Sequence, residues 1–440
     1  MRYNYSMANR FTDEQLKAIT TLDKSVLVSA AAGSGKTSVL VERIIRIILE
    51  GRANVDEMLV VTFTKAAASE MRSRLTSAIK KRMEEVPEDA PRMKDQLSRM
   101  YRAYITTIDS FAMRVIKEFF HRTDLEPGFS VGDEVRCEIL KREAVAELFE
   151  DGFEDDGIVD GGSFRAFLRL YSEERSDEAF MKNLISAYDE LRSMPDYFNW
   201  AYSMAEQLKV SEDSFEGSVI QKMMLDDAVR TFGGVAESLR SICGLFDDAG
   251  IRGMYDEKLG PQAEAVRSIY EQVSAGKLSP DIIDEINSVP ATRLVAKKAQ
   301  KEAYESIKAE VKALNDALKD EIKNFRNRYL MPDFKTRLDE MNATYGYTVY
   351  YLGLLQEFER RYEEKKREKK LIDFADMEHI AVRILADDEA SEAMRKRFNY
   401  IFVDEYQDTN NIQETLIQSV ARPGNVFRVG DVQQCIYKFR

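Results

Sequence analysis

Lys36 and Thr37 follow Gly33-Ser34-Gly35, and this small-residue turn follows an apolar run, Val26-Leu27-Val28. The order strand, loop, helix start is the setting of a P-loop, with Ala30 standing where the pattern has its first glycine. Gly33 and Gly35 let the backbone curl so that successive N–H groups point at phosphate oxygens. The helix that follows adds its partial positive charge. Lys36 is spaced to reach β- and γ-phosphates, and the Thr37 hydroxyl to ligate Mg2+. The chemistry expected here is nucleotide binding, with ATP and Mg2+ as the ligands.

A second constellation lies far downstream. Tyr400-Ile401-Phe402-Val403 is an apolar run that ends in Asp404-Glu405. A carboxylate at a strand end opposite a P-loop can hold Mg2+ through water, and this role falls to Asp404. Glu405 beside it can orient and deprotonate an attacking water. Paired carboxylates after a strand are common in loops; the P-loop in the same chain is what gives these two their meaning.

The elements that must position these residues alternate. Strands are expected at Val26–Val28, Met58–Thr62, Tyr104–Thr107, Tyr400–Val403 and Val426–Val429, with helices after each of the first three. Such alternation predicts an α/β fold with a parallel sheet covered on both faces. Ligands of such sheets sit at the carboxyl ends of the strands. Phe63, Thr64, Thr107, Ser110 and Phe111 all fall there. A Phe just past a strand is usually core, yet beside hydroxyls at that edge it can stack on a single strand of nucleic acid. Upstream, Thr12 and Gln15 have the spacing of a capping box. The Gln15 amide, donor and acceptor together, is equally suited to an adenine edge.

From about Glu126 strand signals nearly vanish until residue 370. Helices are expected at Asp133–Phe149, Ser176–Ser193, Thr292–Tyr329 and Tyr347–Lys370, and a solvated acidic loop over Glu147–Asp160. Between Arg293 and Arg328 there are ten basic and six acidic residues. That run is either a solvated helix face or a DNA-facing surface. The long helical stretch is thus an insertion within one nucleotide-binding domain.

Bulk composition narrows the classes. The 440 residues carry a net charge of −13, so any nucleic-acid contact must use local patches. Cys137, Cys243 and Cys435 are scattered, and His121 and His379 are the only histidines, which argues against a disulfide framework or a zinc site. The N-terminus MRYNYSMANR has no apolar core of a signal peptide, and no apolar run reaches membrane-spanning length. A cytoplasmic protein with no membrane contact is expected.

Taken together, GSGKT, VTFTKAAASEM (Val61 to Met71), TTIDSF (Thr106 to Phe111), VDEYQDT (Val403 to Thr409) and GDVQQCIYKFR (Gly430 to Arg440) resemble the ordered motifs of UvrD/RecB-like superfamily 1 DNA helicases. LEPGFSVGDE (Leu125 to Glu134) and FLRLYSEERSDEAF (Phe167 to Phe180) are similar in particular to the AddA-type helicase–nuclease subunits. The resemblance implies a RecA-like P-loop NTPase domain 1A made of residues 1–125 and 371–440, with a helical insertion domain 1B over 126–370. It implies that Gln15 reads adenine, Gln434 senses the γ-phosphate and Arg440 links that site to DNA. Phe63, Thr64, Thr107, Ser110 and Phe439 would line the path of single-stranded DNA. Asp109, Gln433 and Cys435 depart from residues common in the family, at positions that touch DNA contacts rather than hydrolysis.

The function implied is an ATP-dependent 3′–5′ DNA helicase acting on single-stranded and duplex DNA in double-strand-break repair, with an AddB-like partner subunit. Two other readings stand beside it: a UvrD/Rep-type repair helicase without nuclease, and a helicase-like scaffold that binds DNA or a partner without hydrolysis. Lys36, Thr37, Asp404, Glu405 and Gln434 together favour a motor. The sequence stops at the third major motif, and is expected to be an N-terminal part that binds nucleotide weakly and hydrolyses it poorly by itself.

Overall fold

The computed structural model describes residues 11–31, 33–171, 177–211, 213–290, 292, 294–331 and 333–431. The chain divides into two compact units, one of residues Met1–Ile158, Phe164–Phe198 and Leu355–Arg440, the other of Val159–Ser163 and Asn199–Leu354.

The first unit holds strands β1 (Val26–Ser29), β2 (Met58–Thr62), β3 (Tyr104–Thr107), β4 (Ser130–Val131), β5 (Leu371–Ile372), β6 (Tyr400–Val403) and β7 (Val426–Gly430). Five of them form one parallel sheet in the order β1-β7-β6-β2-β3, and β4 pairs with β5 in a separate parallel pair. All five residues of β2 are buried, as a strand covered on both faces requires. Alternate residues serve opposite faces. Val60 joins Val39, Ile44, Ile48, Leu75 and Ile79 from the helices Lys36–Leu49 and Lys65–Glu85. Leu59 and Val61 join Phe111, Val115, Ile384 and Leu416 from the helices Ile108–Glu118, Phe374–Leu385 and Asn411–Val420. The fold class is therefore the expected one, α/β with helices on both faces of a parallel sheet.

Topology brings distant residues together at one edge. Register pairs Ser29 with Gly430, Val61 with Val403, and Thr62 with Thr107. The carboxyl ends of β1, β7, β6, β2 and β3 thus form a row, and β1 and β2 are separated by two strands drawn from the far end of the chain. That is the crevice where open parallel sheets bind ligands.

One local expectation is corrected, and one open choice is settled. The acidic stretch from Glu147 is not a loop from its start, because the helix Glu134–Glu154 runs through it with Phe149 buried. A Cβ on Gly152 would lie 2.7 Å from the Phe164 ring, so this glycine is a packing site rather than a break. Phe111 is fully buried and meets Phe398 edge-on with ring centroids 5.9 Å apart, which makes it core rather than a stacking residue.

The second unit is helical, with a core that includes Phe232, Val235, Leu239, Val266, Val311, Leu318 and Phe325. Its helix Lys301–Tyr329 starts later than the Thr292 expected. Tyr304, Val311, Leu318, Ile322 and Phe325 form the buried stripe, and Lys301, Lys308, Lys312 and Lys323 are exposed. Among the described residues no helix is long and apolar enough to cross a membrane.

Candidate functional site

The loop after β1 begins as an extension of the ladder, with the Ala30 N–H donating to the Gly430 carbonyl at 3.1 Å. Gly33 and Gly35 then take φ of +75° and +83°, a region open to glycine at little cost. Gly35 caps the helix Lys36–Leu49, whose first N–H groups lack intrahelical partners and face the loop. Lys36 Nζ donates to the Ala30 carbonyl at 2.8 Å, so the cation is folded back on its own loop. Thr37 is the second residue of the helix. Gln15 meets the same loop. Its carbonyl accepts from the Thr12 N–H at 2.9 Å, completing the capping box, while its Nε2 donates to the Ser34 carbonyl.

Across the edge, β6 delivers Asp404 and Glu405. The Asp404 N–H donates to the Val61 carbonyl at 2.9 Å, which fixes it beside β2. Glu405 has φ of +53°, a left-handed conformation that costs a non-glycine residue on the order of 1–3 kcal/mol. Burial, and then the charge of Glu405, push the Asp404 carboxyl up to about 6, while the Lys36 and Arg74 cations pull it down. Lys36 and Asp404 thus feel each other across the crevice. Two adjacent carboxylates in a desolvated place call for further positive charge. Carboxylate oxygens are donors of the kind that suit a hard divalent cation such as Mg2+.

Arg74 was visible in the sequence only as one of several basic residues on its helix. In the fold it lines a cavity of about 450 Å3 with Phe11, Thr37, Glu42, Ser73 and Lys81, between the helices Lys36–Leu49 and Lys65–Glu85. Arg72, by contrast, turns inward and donates to the carbonyls of Met100, Ala103 and Ile105, which is a structural clamp.

The other half of the edge carries the expected nucleic-acid residues. Phe63 is 37% exposed just past β2. The Thr64 hydroxyl accepts from the Ala67 N–H at 3.0 Å and caps the helix Lys65–Glu85. Thr107 is only 4% exposed, and its hydroxyl caps the helix Ile108–Glu118 while bonding the Ser110 hydroxyl at 2.9 Å. Thr107 therefore lies beneath the edge and holds Ser110. Phe63 and Asp109 line a cavity of about 850 Å3 with Phe374, a residue the sequence reading missed. Phe374 is 51% exposed immediately after β5 and Asp373. Its signal was a strand end followed by an aromatic, as at Phe63, but β5 has two residues and left no apolar run to notice.

Phe374 stands on a stiff mount. Asp373 and Asp376 cap its helix reciprocally, through N–H to carboxylate bonds of 2.7 and 2.8 Å. Arg192 donates to Asp376 at 2.7 Å, and Lys366 also donates to it. Both cations are buried, so the carboxylate they share is held by charge-assisted bonds in a low dielectric. The cavity lining also includes Glu134, Asp189 and Glu378 against Lys141 and Arg192. Its chemistry favours aromatic stacking over a grip on phosphate. Gln434, Phe439 and Arg440 lie outside the described residues, as do Gln433, Cys435 and part of the FLRLYSEERSDEAF segment.

A family model described as the UvrD/REP helicase N-terminal domain matches residues 11–230 and 246–440. An ATP-dependent helicase/nuclease subunit of Alkaliphilus oremlandii is 37% identical over 431 residues, covering 98% of this chain. The ATP-dependent helicase/nuclease subunits of the same name from Alkaliphilus metalliredigens and from Clostridium perfringens strain 13 are 34% and 35% identical, over 98% and 99% of the chain. The chain spans 35% of the length of each of these relatives.

Proposed function

The chain belongs to the UvrD/REP helicase family, and we propose that it forms the nucleotide-driven motor of a DNA helicase that moves 3′ to 5′ on single-stranded DNA. The observation that carries this reading is a shared edge. The Lys36 loop and the Asp404-Glu405 pair meet at the carboxyl ends of the same five-stranded sheet on which Phe63 lies exposed.

In this reading Lys36 leaves the Ala30 carbonyl when phosphate arrives and bonds the β- and γ-phosphates of ATP. The loop N–H groups around Gly33, Ser34 and Gly35 hold the phosphate chain, and Gln15 faces the base. Thr37 and Asp404 would hold Mg2+, which would neutralise phosphate charge. Glu405 orients the attacking water and accepts its proton. Gln434 reports the γ-phosphate and Arg440 connects that report to DNA. On the DNA side Phe63, Phe374 and Phe439 stack on bases, Thr64 and Ser110 hydrogen-bond the strand, and Thr107 supports Ser110.

The relatives' name, which joins helicase to nuclease in one subunit, supports a place in a helicase–nuclease assembly. An AddB-like partner and action on broken duplex ends in recombination repair belong to the same reading and rest on the motif resemblance. The test is unwinding by the protein, with ATP and Mg2+, of duplexes carrying a 3′ or a 5′ single-stranded tail. The reading predicts unwinding from the 3′ tail. Unwinding from the 5′ tail alone would overturn the direction, and none from either would overturn the motor.

A further inference from the structure

Glu405 is held in a costly backbone conformation, and one side chain accounts for where its carboxylate points. Gln407 Nε2 donates to Glu405 Oε2 at 2.8 Å. The other end of the same amide, Gln407 Oε1, accepts the Asp431 N–H at 2.9 Å. Asp431 directly follows β7, and the carbonyl of Gly430 before it accepts the Ala30 N–H where the P-loop begins. A continuous set of hydrogen bonds thus runs from the start of the phosphate loop, across the end of β7, to the carboxylate beside Asp404.

The approach of β7 to Gln407 is close. A Cβ on Gly430 would lie 2.7 Å from Gln407 Oε1 and 3.2 Å from its backbone nitrogen. No side chain fits there without displacing the amide. The bridge also requires an amide chemically, since one end must donate to a carboxylate and the other accept from an N–H. A glutamate of the same size cannot donate to Glu405, and an aliphatic residue does neither.

We infer that Gln407 is a positioning residue that aims the Glu405 carboxylate at the attacking water and ties that aim to the carboxyl end of β7. The inference rests on the reading of Glu405 as the proton acceptor. Gln407 touches neither nucleotide nor water in this account. It acts through Glu405.

The test measures single-turnover ATP hydrolysis, affinity for a fluorescent ATP analogue and thermal stability for Gln407→Ala, Gln407→Glu, Glu405→Gln and the double variant Glu405→Gln/Gln407→Ala. Hydrolysis by either Gln407 variant should fall about 10–100-fold, the scale of loss when hydrogen-bond partners that orient metal ligands are removed. Nucleotide affinity should stay within about threefold of the parent, because binding and chemistry are separable here. The double variant should hydrolyse no more slowly than Glu405→Gln, since Gln407 has nothing left to aim. Parental rates in both Gln407 variants, or losses that multiply in the double variant, would overturn the inference while leaving Glu405 in its role. Parental hydrolysis by Glu405→Gln would overturn the role of Glu405 and the inference with it. If Gln407→Ala does not fold, the isosteric Gln407→Glu carries the test.

Discussion

Gln15 Nε2 donates a 2.8 Å hydrogen bond to the Ser34 carbonyl, joining a helix cap to the phosphate loop. The sequence left Gln15 with two competing uses, a cap and a base contact. The fold shows the cap, and it shows the same amide reaching the phosphate loop. Capping fixes the amide plane through the Thr12 N–H, and the fixed amide then reaches the loop beside Gly35, where a Cβ would lie 3.4 Å from Nε2. In the proposed function a base would meet an amide already oriented by these two bonds, and less ordering entropy would oppose its binding.

The two exposed aromatics on the DNA side should act on affinity for nucleic acid and not for nucleotide. Phe63→Ala and Phe374→Ala should each weaken binding of a single-stranded oligonucleotide by about 1–3 kcal/mol, the range for one base–aromatic stack. Fluorescence anisotropy at fixed salt, with ATP-analogue affinity measured alongside, separates the two. Unchanged DNA affinity in both variants would remove stacking from the account.

Asp404 should trade stability for function. Its folded-state carboxyl titrates near 6, above the ordinary carboxylate value of 3.8, because of burial and then the Glu405 charge. Between those values the folded state binds more protons than the unfolded chain, so stability falls as pH rises through this window. Asp404→Asn removes that cost. The nucleotide-free variant should be more stable by about 1–3 kcal/mol above pH 6, with the gain absent below about pH 3.8, and should have lost ATP hydrolysis. Urea unfolding at pH 4 and pH 8 reads the first effect. A variant less stable than the parent at pH 8 would contradict the charge argument.

His379 should work in the opposite sense. Burial, followed by the Arg192 guanidinium, holds its imidazole down near 4, while Asp376 and Asp373 pull weakly the other way. Nε2 lies 2.9 Å from the Arg192 carbonyl, which can only accept, so that nitrogen carries the proton of the neutral ring. As pH falls from 6.5 to 4 the unfolded chain takes up a proton that the folded state refuses, and stability drops by about 3 kcal/mol. His379→Gln keeps a donor for that carbonyl and removes the titration. Its stability should decline less than the parent's over this interval in denaturant titrations. Equal declines would show that other groups set the acid limb.

Much of this was legible in the chain because strands and chemistry coincide. Most sheet strands are short apolar runs, and Phe63 and Asp404 follow such runs directly. What the sequence hid depends on residues meeting across long separations. Leu27 pairs with Arg428, and no local pattern announces it. The stretch from Glu147 reads as an acidic loop, and nothing local announces that Phe164 packs on Gly152. Thr107 and Phe111 sit beside Ser110 yet face inward, because a helix cap and a buried ring outweigh their nominal edge position. Phe374 follows a strand too short to notice, and the left-handed turn at Glu405 follows from its neighbours rather than from its type.

The central claim is that one sheet edge binds ATP and DNA together. The most direct measurement is steady-state phosphate release from ATP with and without saturating single-stranded DNA, for the protein and for Lys36→Ala. The account predicts release that rises with DNA in the parent and is abolished, with or without DNA, in Lys36→Ala, whose circular dichroism stays that of the parent. Normal turnover by a folded Lys36→Ala variant, or a parental rate indifferent to DNA, would contradict it.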